Sequence, residues 1–361
     1  MEFDLSDEQR MLQESIRGFL ESECPPARRR EIFDAPDAAD APLWKGLMEL
    51  GLGGIHLPEE HGGTGLGALD LACAAETLGH EAAPGPFLGH ALAGAAIALA
   101  GSPAQQAHWL PRLATGDVLA SVALAEGAGC WQPEQWCLPE ASRIRGEKHF
   151  VPAGGRADVV VVGTAGGGLM LVEVGEGTRA TPFDGADRTR RLDSLRFDDA
   201  PAEALPKGRE AAPRVRDLAL VLLAADAFGG ASRCVELSVE HAGTREQFGV
   251  TIGHFQALKH QLANMALEVE PARALYWYAA HAWDAIPDEA ARSAALAKAH
   301  LGDRFMQVAR DTVEAHGGIG FTWECDVQIW FKRAMFDRAF MGTPDFHRER
   351  AAQMAGWVAQ E

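Results

Sequence analysis

The 361-residue chain predicts an α+β fold in three parts: an N-terminal α-helical domain over residues 1–115, a small middle β domain (sheet or barrel) over 116–207, and a C-terminal antiparallel four-helix bundle over 208–361. Two observations carry this prediction. Apolar residues recur at helical steps up to Leu113, at strand steps after Gly116-Asp117, and at helical steps again from Pro213 onward. Residues three and four apart share a helix face while alternate residues share a sheet face, so a change of period marks a change of element. Short joints between the last long helical runs then favour antiparallel neighbours.

Taken in order, Ser6 followed by Gln9 reads as a capping box, and Leu12, Ile16 and Phe19 continue at helical spacing. The stretch from Gly51 to Gly65 holds six glycines and interrupts the helical pattern as a loop. Helices follow over Leu66–His80, Pro86–Ala100 and Pro103–Leu113. Strands are expected over Ser121–Ala125, Ile144–Val151, Val159–Val162, Leu169–Val174 and Leu192–Phe197. Gly163 to Gly168 joins two strands with no helix after it, so it reads as a hairpin loop and not a dinucleotide fingerprint. The bundle helices are expected over Val215–His241, His254–Trp283 with a kink at Pro271, Pro287–Ala315 and Glu324–Phe340.

A net charge of -18 with no basic stripe argues against a nucleic-acid partner. The six cysteines lack metal-ligand spacing, so no metal site is expected and a reducing cytoplasm is the simplest location. Met1 to Gln9 carries no apolar run of the secretory kind, and the Ala- and Leu-rich segment after Pro86 reads as a packed helix and not a membrane span.

Between two bundle helices lies Arg245-Glu-Gln-Phe-Gly-Val-Thr-Ile-Gly-His-Phe-Gln256. An arginine beside helix-start amides suits an anion such as a diphosphate; a plain helix–helix turn with a surface Arg fits the same residues. With Glu314-Ala-His-Gly-Gly-Ile-Gly-Phe-Thr322, which also reads as a helix C-cap at Gly317, and Pro58-Glu-Glu-His-Gly-Gly63, this stretch resembles the acyl-CoA dehydrogenase family over nearly the whole chain.

That resemblance implies FAD as cofactor, an acyl-CoA thioester as substrate, an electron-transferring flavoprotein as electron acceptor, and a tetrameric enzyme of lipid β-oxidation. Family members bind FAD across subunits. Arg245, Phe248, Gln256, His316, Gly317 and Gly318 match the half that is given to a neighbour, with Glu314 standing where many members carry Gln. Thr343 matches the threonine after the usual base.

The ring-binding half departs from the family. Where members read Thr-Glu-Pro, two spacers and Gly-Ser-Asp, this chain reads Ala125-Glu-Gly-Ala-Gly-Cys-Trp131, one residue shorter. Glu126 and Gly129 survive, but Ala125 and Cys130 replace two hydroxyls. Phe150 still suits the ring's flank, whereas Pro152 replaces a hydroxyl residue and has no N–H to donate.

Removing a proton alpha to a thioester needs a positioned carboxylate, a Glu in this family. Its two family positions are occupied by Met341 and Ala219, neither of which accepts a proton. Asp226 and His347 are the nearest substitutes, ahead of Asp217 and Asp345; His347 reads equally as a surface cap residue. These losses resemble the base-less subunit of heteromeric bacterial enzymes of the steroid side-chain type, and imply a paralogous acyl-CoA dehydrogenase subunit as partner. Two rivals stand beside that expectation: a self-sufficient flavoenzyme with an atypical base, in a homo-oligomer, and a scaffold subunit without FAD, for which Glu314 is the motive.

Overall fold

The computed structural model describes residues 4–35, 40–127 and 129–358. Among the described residues six α-helices come first: α1 (Asp7–Glu23), α2 (Pro26–Asp34), α3 (Ala41–Glu49), α4 (Ala68–His80), α5 (Phe87–Ala100) and α6 (Pro103–Thr115). The expected capping box is present, with the Gln9 amide donating to Ser6 Oγ at 3.2 Å and the Ser6 amide to Gln9 Oε1 at 2.9 Å. Helix α6 repeats the device with Ser102 and Gln105 and stops at Gly116, whose φ of 75° turns the chain out of the helix.

Among the described residues seven strands follow: β1 (Ala120–Ala123), β2 (Arg143–Pro152), β3 (Val159–Thr164), β4 (Gly168–Glu173), β5 (Thr178–Phe183), β6 (Leu192–Pro201) and β7 (Glu203–Ala204). They form two sheets, β1-β3-β4-β7 and β2-β6-β5. Strand β1 runs parallel to β3 with Ala120 opposite Val159; the other pairs are antiparallel. The Gly163–Gly168 segment is the hairpin it was expected to be, closing β3 onto β4 with Thr164 opposite Gly168. Strands β5 and β7 were not anticipated. Strand β5 is largely exposed, so it lacks the apolar alternation that marks a half-buried strand.

The continuous valine run of β3 is explained by burial on both faces. Val159 and Val161 join the core shared with the helices, while Val160 and Val162 join a second core between the sheets.

The C-terminal part is helical: α7 (Gly208–Thr244), α8 (Gln256–Val269), α9 (Arg273–Ala285), α10 (Pro287–His316), α11 (Val327–Ala339) and α12 (Pro344–Met354), with a small hairpin of β8 (Glu246–Gln247) and β9 (Val250–Thr251) between α7 and α8. The expected His254–Trp283 helix is divided into α8 and α9 by a tight turn at Glu270–Ala272, because Pro271 has no N–H for the helical ladder. Helix α12 was not anticipated.

Helix α7 is long and apolar enough by composition to cross a membrane, yet 83% of its most apolar stretch is buried inside the protein. Its closest neighbour on one side is α4. A Cβ on Gly229 would stand 1.9 Å from the Glu76 carbonyl, and one on Gly79 would stand 2.2 Å from that of Asp226. The two glycines let the backbones meet, and this contact locks the N-terminal helices onto the bundle.

Candidate functional site

The residues expected to be offered to a neighbour come together at one end of the bundle. His241, in the last turn of α7, stacks on His316 at the end of α10 with ring centroids 4.3 Å apart. His316 is oriented by donating from Nδ1 to the Thr312 carbonyl at 2.8 Å. Arg245 follows His241 by one helical turn, and its side chain meets no acceptor among the described residues.

Beyond Arg245 the chain turns through the β8–β9 hairpin. Phe248 (φ 55°) and Gly249 (φ 80°) form its corner, the pair of positive φ values that a two-residue hairpin turn demands. Gly249 accepts this freely, whereas Phe248 does so at a cost in strain. The result is a phenyl ring that is 92% exposed. Gln256 opens α8 beside it, and Gly317 and Gly318 are exposed with open space where a Cβ would be. This edge is therefore a guanidinium, helix-start amides, an imidazole and an aromatic face, uncovered by the chain itself. Glu314 is exposed, so its charge is solvated and can turn away from an anion on this edge.

The inward half lies between the sheets and α11. Glu126 does not present a free acceptor there. Its Oε2 accepts from the Cys137 amide at 2.9 Å, and its Oε1 accepts from the Leu138 amide at 3.0 Å and from Lys148 Nζ at 2.6 Å. Burial would raise its pKa, but Lys148 and the two amides outweigh it and hold the carboxyl below its usual range. The Glu126 carboxylate thus shapes the loop after β1.

Phe150, also at positive φ, packs near Trp131 and Phe183 with centroids 5.7 Å and 5.2 Å away. Trp131 in turn meets Phe340 at 4.8 Å. Beside these rings lies a cavity of about 380 Å³ bounded by Phe183, Arg190, Leu192 and Phe336.

The two base positions are apolar and shut in: Met341 is 1% exposed and Ala219 is fully buried. The substitutes are occupied. His347 is fully buried, so it is not a surface cap residue. Its Nε2 donates to the Met341 carbonyl at 3.0 Å, and burial, with the Lys298 ammonium nearby, pushes its pKa down to about 3. A ring so weakly basic is no general base for neutral pH. Asp345 is exposed and paired with Arg348 at 2.8 Å, and Asp217 is held by Arg216 and Arg350 at 3.0 Å each. Thr343 caps α12, its Oγ1 accepting from the Phe346 amide at 3.4 Å.

Asp226 belongs to a buried cluster that the sequence did not disclose. It accepts from Arg333 Nε at 2.9 Å and Arg190 Nη1 at 3.3 Å; Arg190 also donates to Asp187 at 2.9 Å and Asp337 at 2.7 Å. Burial, and then the neighbouring Asp226, raise Asp337 well above its ordinary value so that it keeps its proton. Two guanidiniums then face the carboxylates of Asp187 and Asp226. The one available signal was an Asp inside the apolar run of α7.

A helical–strand–helical chain, with a ring-lined cleft between its sheets and its last helices and a cationic edge on the outside, has the plan of a flavin-dependent dehydrogenase. Family models describe residues 6–117 as the acyl-CoA dehydrogenase N-terminal domain and 217–356 as its C-terminal domain. Acyl-CoA dehydrogenase IpdE2 of Mycobacterium tuberculosis is 32% identical over 341 residues, 94% of each chain. Among solved structures, a variant of the Tcur3481-Tcur3483 steroid ACAD matches with a TM-score of 0.88 and 30% identity over 97% of this chain and 98% of that one. The Mycobacterium tuberculosis ChsE4-ChsE5 complex matches at 0.89 and 26% identity over all of both chains, 100% of each. The chain belongs to the acyl-CoA dehydrogenase family of FAD-dependent oxidoreductases, which act in fatty-acid β-oxidation.

Proposed function

We propose that this chain is the FAD-donating subunit of a heteromeric acyl-CoA dehydrogenase. It lends the edge formed by Arg245, Phe248, Gln256, His316, Gly317 and Gly318 to the diphosphate and adenine end of FAD held by a paralogous subunit. The paralogue supplies the ring pocket and the carboxylate base. The substrate is an acyl-CoA thioester, oxidised between its α and β carbons, and the electrons pass to an electron-transferring flavoprotein. We take 1–115, 116–207 and 208–361 as the domain boundaries, and the cytoplasm as the place of action.

One observation carries this reading: the outward edge is intact and uncovered, while both base positions on the inward side are buried apolar residues. The residues fit half of the cofactor. Arg245 and the Gln256 amide suit a diphosphate, and Phe248 offers a face to a base ring. On the inward side Ala125 and Pro152 have no donor side chain, and Glu126 is engaged by Lys148. Bound FAD would supply hydride acceptance at the paralogue's site. Two of the similar structures are described as pairs of differently named chains, in keeping with a mixed assembly. The engagement of Asp226 and the low basicity of His347 weigh against a self-sufficient enzyme.

The test is an absorbance spectrum of the chain purified alone and again after co-expression with its paralogue, with FAD and protein quantified together. Colour only in the mixed complex, at about one FAD per two chains, is expected. An FAD-replete, active homo-oligomer overturns the proposal, and a mixed complex that stays colourless favours the scaffold reading.

A further inference from the structure

This chain's inward half disagrees with an isoalloxazine in its lost donors at Ala125 and Pro152, and its packing adds a second obstacle. We infer that Trp131 occupies the ring slot of this chain's own cleft and thereby prevents the subunit from holding a flavin ring of its own. This rests on the donor reading above and deepens it, because it says why FAD is given away and not shared out between two sites.

The slot is defined by chemistry. A flavin flanked by Phe150 on β2 must face the base position at Met341, at the end of α11, with the reacting acyl group between them. Phe340 precedes Met341 and points into the same space, since its ring approaches both Trp131 and Phe336. A ring inserted between two others needs centroid separations of about 4.5–7 Å on each side. Trp131 already meets that requirement itself, at 5.7 Å from Phe150 and 4.8 Å from Phe340. The indole thus takes up the ring contacts that an isoalloxazine would need from Phe150 and Phe340.

The backbone keeps the indole there. The loop after β1 doubles back, with the Gly129 and Cys130 amides donating to the Glu126 carbonyl at 3.1 Å and 3.0 Å. Glu126 is clamped by Lys148 and the Cys137 and Leu138 amides, so the turn has fixed ends. Gly129 sits at φ 112°, and a Cβ there would stand 3.0 Å from Trp131 Nε1. Glycine at this position is what allows the indole to lie against the turn. The adjoining cavity of about 380 Å³ means that removing the indole enlarges an existing space instead of leaving an isolated void.

The probe is lumiflavin, which carries the isoalloxazine without ribityl chain or diphosphate, so it reports on the slot alone. It is titrated, by quenching of its fluorescence, into the FAD-loaded mixed complex with wild-type chain, with Trp131→Ala and with Trp131→Leu. Leu keeps an apolar side chain against the core but does not span the rings, and it is the variant to read where Ala unfolds the chain. At least about tenfold tighter lumiflavin binding than wild type is expected in a folded variant, corresponding to about 1.4 kcal/mol. Equal binding to wild type and folded variants overturns the inference. The FAD content before titration reads the donor proposal separately: it stays at the wild-type value in the variants when that proposal holds, whatever lumiflavin does. Near one FAD per wild-type chain overturns both.

Discussion

His241 and His316 lie face to face, 23° from parallel, and this stack joins the last turn of α7 to the end of α10. One ring closes α7 and the other closes α10, so the Arg245 hairpin and the Gly317–Gly318 turn share a surface. Burial, followed by the other charges around it, lowers His241, and burial lowers His316. Both rings are neutral near pH 7, which lets them stack without repulsion. Replacing His316 with Ala is expected to lower the FAD content of the mixed complex while leaving subunit association intact, as read by absorbance and by size-exclusion chromatography with light scattering.

Arg245→Ala probes the anion contact. A charge-assisted hydrogen bond contributes about 1.5–3 kcal/mol, so FAD is expected to dissociate roughly ten- to a hundredfold more readily. Arg245 is exposed and its side chain meets no partner among the described residues, so the thermal midpoint of the isolated chain should stay put. Equilibrium dialysis of the complex and a melting curve of the chain provide the two readings; unchanged FAD affinity would remove Arg245 from the site.

Asp226→Asn separates a structural role from a catalytic one. Removing its charge leaves Arg190 and Arg333 buried with too little negative charge, and breaking such pairs costs about 3–5 kcal/mol. Loss of stability in urea is therefore expected. A variant as stable as wild type that had lost only turnover would restore Asp226 as a base.

Gly229→Ala places a Cβ 1.9 Å from the Glu76 carbonyl, where backbone cannot yield cheaply. A destabilisation of about 3 kcal/mol is expected from forcing α4 and α7 apart. Gly243→Ala on the same helix is the control. It is exposed with nothing within 4 Å, and replacing glycine there should add up to about 1 kcal/mol by helix propensity.

Acid sensitivity follows from two buried neutral imidazoles. His90 donates from Nε2 to the Leu113 carbonyl at 3.0 Å and accepts at Nδ1 from the Ala120 amide at 3.3 Å; burial lowers it to about 4. His347 is lowered to about 3. Because each folded pKa lies below the unfolded value, the unfolded chain binds more protons between them, and stability is lost as pH falls below about 6.5. Between pH 7 and pH 5 the two together should cost about 4 kcal/mol in urea unfolding, about 2 from each. His90→Asn should flatten that slope; an unchanged slope would mean that this ring does not titrate with unfolding.

The order of elements was legible because periodicity is a local property. Ser6, Gln9, Gly116, Pro271 and the valines of β3 act on neighbours a few residues away, and each behaves in the structure as its local pattern implies. Strand β5 and helix α12 were not legible, since an exposed strand shows no apolar alternation and the buried stripe of α12 is Pro344, His347 and Ala351, with no large apolar side chain to mark it. The departures at Ala125, Pro152, Ala219 and Met341 could also be read as residues, because a missing hydroxyl or carboxylate is missing in any conformation.

What the sequence determined alone is thus the succession of helical, strand and helical segments and the chemistry that each position lacks. Only the tertiary structure decided where the remaining groups act. It folded His347 into the core, engaged Asp226 with two arginines and Glu126 with Lys148, and set Trp131 against Phe150 and Phe340. Each of these outcomes depends on partners from different elements, and no local period records which distant side chain a residue will meet.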